Sequence, residues 1–133
     1  MKKVLLFLAV AVVFGLYASG ASAQSVAEGE RFTTGISDKN PVDDLQEETS
    51  PIAGPIYFFS AIKNDADRAK AQHVWTRGEE HLFTANFNIG RNMKDGWRVN
   101  SSINGARLKS GDKISVSVVV DDKVIKVKEL KIK

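Results

Sequence analysis

The 133-residue chain has no cysteine. That excludes disulfides, thiol nucleophiles and thiolate metal ligands, and it excludes the lipid-bearing cysteine of a bacterial lipoprotein. Histidine is nearly absent too, with only His73 and His81. Zinc sites take three or four ligands, and no third ligand follows either histidine at ligand spacing. His-Glu-x-x-His is missing, as are a Gly-x-Ser-x-Gly elbow after the N-terminal segment and a Gly-rich strand-to-helix loop for phosphate. No catalytic residue, metal ligand set or cofactor motif is legible, so the expectation is a protein that is not an enzyme and takes no cofactor.

Long hydrophobic runs are also lacking beyond one at the start. Lys2 and Lys3 precede an apolar stretch from Val4 to Tyr17, and small residues follow, ending in Ala21-Ser22-Ala23. This order is that of a secretory signal peptide cleaved after Ala23, and the run is short for a span of about 20 residues. The sequence thus predicts an exported protein, periplasmic or extracellular, with no membrane insertion after cleavage. It divides into a signal peptide at 1–23, a short N-terminal extension at 24–29 and one domain at 30–133.

Charge of one sign is scarce. Without Lys2 and Lys3 the formal charge falls from +3 to +1, which gives no reason to expect nucleic acid as a partner. The balance is uneven, since Arg107 to Lys133 carries eight Lys or Arg against four Asp or Glu. Lys126, Lys128 and Lys131 flank apolar positions near the end. Lysines placed this way are a common guard on an edge strand, and a polyanion-binding patch is the less economical reading.

What the chain has is alternation with a period of two. Phe32, Thr34 and Ile36 fall on one side of a first strand, ended by "DKNP". Residues 42–55, rich in Asp, Glu, Pro and Gly, predict a long, exposed, mobile loop. "PIYFFSAI" is apolar on both faces and predicts a buried central strand. "KNDADRAKA" has the composition for one helical turn. "QHVWTR" and "HLFTANFNI" flank Gly78 as a predicted hairpin. "GRNMKDG" predicts a loop, "WRVNSSI" a strand, Asn104-Gly105 a turn, and "KISVSVVV" and "KVIKVKELKIK" a last pair joined at Asp121-Asp122. A parity shift between Val127 and Leu130 predicts a bulge near Lys128 or Glu129. About seven short strands predict an all-β fold, an antiparallel immunoglobulin-like β-sandwich, with a small β-barrel as the alternative.

These segments, taken in order, resemble the bacterial family called domain of unknown function 2914. The likeness runs over roughly 30–133 and is carried by "RFTTGISDKNPVDDL", "IYFFSAI", "HVWTRGE", "WRVNSS" and "KSGDKISVSVVVDDKVIKVKELKI". The chain departs from the family's pattern at Asn40 before the proline, at Val74 between the His and Trp, and at Ile114 after the late glycine. The resemblance implies an exported or membrane-associated β domain and adds no activity.

One stretch holds the candidate ligand-binding residues. In "HVWTR", alternation puts His73, Trp75 and Arg77 on one face. If Trp75 is core, His73 and Arg77 sit at the rim; if that face is solvent, the three form a stacking platform with hydrogen-bond donors. A sandwich strand needs a bulky residue at its middle, which favours Trp75 as core. Trp97 with Arg98 is the second candidate pair. The paired carboxylates Asp43-Asp44, Glu47-Glu48, Asp65/Asp67 and Asp121-Asp122 read as turn residues. The function expected is a binding or scaffolding module for an envelope protein, with a cell-wall glycan as the alternative partner.

Overall fold

The computed structural model describes residues 24–133. The predicted signal peptide lies outside the described residues. Nine strands are described: β1 (Gln24–Val26), β2 (Arg31–Thr33), β3 (Ile36–Ser37), β4 (Asn40–Pro41), β5 (Glu48–Thr49), β6 (Pro55–Arg77), β7 (Glu80–Asn104), β8 (Lys113–Val120) and β9 (Lys123–Ile132).

The architecture rests on the β6–β7 hairpin. Its turn is the two residues Gly78-Glu79, and Gly78 takes a φ of 58°, which its missing Cβ makes cheap. The first half of β6 lies between β1 and β2 on one side and residues 97–104 of β7 on the other. Its second half lies between residues 80–90 of β7 and all but the first residue of β8, and β8 in turn pairs with β9. Register breaks at Ile62/Asn64 and Asn64/Arg68 separate the halves. Each long strand therefore belongs to two sheets, and the chain passes from one to the other at a corner.

The two sheets face each other across one core. Phe32 on β2 meets Phe58 at 5.0 Å and reaches across to Trp75 at 5.9 Å between ring centroids, both edge-on. Ile56, Phe58 and Ile62 supply one inner face, and Trp75, Ile114, Val116, Val118, Leu130 and Ile132 the other. The alternation read from "PIYFFSAI" and "KISVSVVV" is what generates these faces. Phe59 and Ala61, on the opposite side of β6, are buried as well, as a central strand requires.

Several local expectations give way. The "KNDADRAKA" stretch forms no helical turn, because β6 continues through it as the corner. "GRNMKDG" is likewise part of β7. The bulge near the end falls at Ile125, where the register shifts between Val118 and Val119, so Lys126, Lys128 and Leu130 keep one parity and Val127 points outward. Gln24–Val26, expected ahead of the domain, pair with Ile62 to Asn64 inside it. The 42–55 stretch is pinned at several points: Leu45 and Lys131 bond backbone to Phe32 and Glu47, and Leu45 and Ile52 pack on the core. On β2, Phe32 and Thr33 are buried, and Thr34 just after it is exposed; Asp43 accepts bonds from both threonine hydroxyls.

Candidate functional site

"HVWTR" lies in the second half of β6 with β7 on one side and β8 on the other. That position buries Trp75 completely, and it buries His73 equally, so the rim expected for His73 is not where it sits. Ser60 Oγ lies 2.8 Å from Nε2 of His73, and Ser101 Oγ lies 2.7 Å from Nδ1. The Trp75 indole N–H donates to the same Ser101 oxygen at 2.8 Å. Both serines stand on the facing sheet, so the network crosses the core. Phe58 and Phe87 close over the imidazole, each with its centroid 5.0 Å from the ring. Burial pushes the His73 pKa down to about 3, so the ring is neutral at physiological pH, and a hydroxyl at each nitrogen satisfies either tautomer.

Arg77 is at the end of the strand and reaches the surface. It bonds Glu80 at 2.9 Å, the Arg107 carbonyl at 2.9 Å and Asp112 at 3.4 Å. It thereby ties the hairpin turn to the segment that leads into β8. The three candidates in "HVWTR" are separated by this geometry: two are core and one is an anchor of a turn.

Trp97 and Arg98 are placed differently. Trp97 is 41 % exposed, although it pairs with the core residue Ile62. The corner of β7 explains this. The indole lies over Gly90, where an added Cβ would stand 2.9 Å from the ring, so any side chain there would have to displace the indole. Around it is a shallow recess of about 630 Å³ lined by Phe87, Asn88, Asp95, Arg98 and Asn100, with Lys39 at its margin.

The edges of the sheets differ in how they are protected. On one sheet the outer strands β1 and β2 have three residues each. On the other, β9 carries lysines on its outer reach, β5 covers its end, and Lys126 and Lys113 meet Glu30 at 3.3 Å and Glu129 at 4.0 Å. β7 pairs with β6 alone, and among the described residues nothing pairs with its other side. Residues 83–90 pair with β6 in eight consecutive steps without a bulge, and from Leu82 to Gly90 no residue is charged. Phe83 on this edge is 42 % exposed.

No family model matches the chain, and no curated protein does either. A solved structure does: that of an immunoglobulin-like protein from Pseudomonas aeruginosa, with a TM-score of 0.50 at 9% identity, covering 86% of this chain and 100% of that one. Together with the facing sheets, this decides the architecture. The chain is an immunoglobulin-like β-sandwich.

Of the residues singled out in the sequence, Trp97 and Arg98 on β7 are exposed, whereas His73 and Trp75 in the middle of β6 are buried. Period-two reading found Trp97 and Arg98 but not the edge, because which strand lies outermost is a property of topology. Ser60 and Ser101 were likewise unmarked; a serine on the inner parity of an apolar strand is the one signal that pointed to them. Among the described residues no group of three or more His, Asp or Glu side chains is gathered to hold a metal.

Proposed function

We propose that the chain is an exported, non-enzymatic β-sandwich module that binds a protein partner in the cell envelope by strand addition along β7. The observation that carries this reading is the uncharged, unbulged, unpaired run from Phe83 to Gly90. A row of open backbone donors and acceptors with apolar side chains beside it is a template for another strand. Export is supported by the layout of the first 23 residues, and the resemblance of 30–133 to the domain of unknown function 2914 fits an envelope setting.

The test is a photo-crosslinking residue in place of Phe83, activated in intact cells. A crosslinked band of discrete mass, lost when the probe is moved to Val42, exposed just after β4, supports the reading. No band from the Phe83 position overturns it.

A second reading, a glycan ligand, is favoured by one observation: the exposed indole of Trp97 is ringed by Asn88, Asp95, Arg98 and Asn100, the mixture of aromatic face and planar polar groups that sugars use. Since Trp75 is buried and Trp97 half-exposed, a fluorescence change on adding cell-wall glycan reports on Trp97. A saturable change abolished by Trp97→Ala favours the glycan.

A further inference from the structure

We infer that Asn104-Gly105 is a latent site of backbone modification: the folded domain keeps it inert, and when the end of β7 opens it converts to isoaspartate, after which the domain does not refold. Asn104 is the one asparagine of the chain that precedes a glycine. The chemistry needs only water. The backbone nitrogen of Gly105 attacks Cγ of Asn104; an N–Cγ bond forms, the Cγ–Nδ2 bond breaks, and the proton of the attacking nitrogen leaves with the amide as ammonia. Water then opens the five-membered imide at either carbonyl, giving aspartate or an isoaspartate whose main chain runs through Cβ. Glycine speeds the first step because no side chain crowds the attacking nitrogen.

The fold itself calls for this pair of residues. Gly105 is buried where β7 ends, and an added Cβ would collide with the carbonyl oxygens of Ile52 and Gly54, the second at 2.6 Å. Asn104 is exposed, and its side-chain oxygen accepts from the Ala106 N–H at 3.0 Å, capping the 3-10 turn over Gly105–Arg107. Close approach demands the glycine and the cap favours the asparagine, so packing writes a labile dipeptide into the chain.

The same contacts hold the reaction back. The attacking N–H donates to the Gly54 carbonyl at 2.8 Å. Asn104 has a φ of −77° and a ψ of 113°, an extended backbone in which the Gly105 nitrogen points away from the side-chain carbon it must reach. The backbone of Asn104 also pairs with Pro55 in the ladder. Ring closure therefore requires the Gly54–Gly105 bond to break and ψ to rotate, which is local opening of this end of the strand. An isoaspartate adds one carbon to the main chain just before Gly105, where two carbonyls leave no space.

The test follows the tryptic peptide 99–107 by mass while the purified protein stands at mildly alkaline pH, in buffer and in concentrated guanidinium chloride. Asn100, followed by Ser101 in the same peptide, is the internal reference. Deamidation at Asn104 is expected to be about tenfold or more slower in buffer, the factor reporting the opening equilibrium of this strand end. After incubation in denaturant, the modified chains carry one more negative charge and can be separated from the unmodified ones. On removal of denaturant the unmodified fraction should refold and the isoaspartate fraction should not. Freshly made Asn104→Asp keeps a capping oxygen and should refold, which separates the altered main chain from the added charge.

Equal rates at Asn104 in buffer and in denaturant overturn the protection. Full refolding of the isoaspartate fraction overturns its consequence for the fold, and failure of Asn104→Asp to refold assigns the loss to charge at the cap instead of the lengthened main chain.

Discussion

Asn64 and Asn92 stand opposite each other in the β6–β7 ladder at the corner where both strands pass from one sheet to the other. Asn64 is fully buried: its amide donates to the carbonyls of Ala66 and Gly90 at 3.1 and 3.0 Å, and its oxygen accepts from Gln24 at 2.9 Å and from the Ala66 N–H at 3.2 Å. Asn92 accepts from the backbone of Lys94, Asp95 and Gly96. Bending a strand frees backbone groups from the ladder, and these two amides take them up. Asn64→Ala is expected to destabilise by on the order of 3 kcal/mol, because it orphans buried groups, and Asn92→Ala by about 1 kcal/mol, its bonds being open to water. Urea titrations that ranked the two equal would contradict this assignment.

Trp75→Ala should cost about 3 to 5 kcal/mol, the range for deleting a buried large aromatic side chain. Trp75→Phe keeps much of the packing but removes the N–H donated to Ser101, and should cost less. Chemical denaturation of both variants checks the order. A fully stable Trp75→Ala protein would return the residue to the surface.

Stability should depend on pH through His73. The folded state holds the ring neutral with a pKa near 3, against 6.5 in the unfolded chain. The unfolded state therefore binds the extra proton between these values, and stability falls as pH falls, by up to about 1.4 kcal/mol per pH unit. It is fully present above pH 6.5 and its loss is complete near pH 3. Denaturation midpoints should drop from pH 7 to pH 5 in the parent and change less in His73→Asn, which does not titrate. Equal slopes in the two proteins would show that His73 is not the group responsible.

Processing after Ala23 should yield a mature protein beginning at Gln24. Mass spectrometry of the exported product checks it directly, and a product retaining Met1 would mean an uncleaved anchor. The placement of Gln24–Val26 as a strand on β6 adds a constraint: removing these residues as well should lower stability, since Gln24 bonds the corner residue Asn64.

The period-two pattern by itself determined that the chain is all-β, that "PIYFFSAI" is central, and that His73, Trp75 and Arg77 share one face, because side chains alternate across a strand whatever its neighbours are; the bulk of Trp75 favoured that face as core. Turn residues placed the breaks at Gly78 and at Asp121-Asp122 for an equally local reason, since each takes a positive φ that few residues adopt, whereas Asn104-Gly105 is no such turn: Asn104 is extended and caps a short 3-10 helix over Gly105–Arg107. Local rules could not show that "KNDADRAKA" and "GRNMKDG" are corners of continuous strands, since their polar residues serve distant backbone groups that only the folded chain brings near. Nor could they bury His73. Alternation gave it the inner face beside Trp75, but whether that face held water or serines depended on Ser60 and Ser101 arriving from the opposite sheet, 13 and 28 residues away. The open edge of β7 is the furthest from the sequence of all, because a strand becomes an edge only when every other strand has found its neighbours.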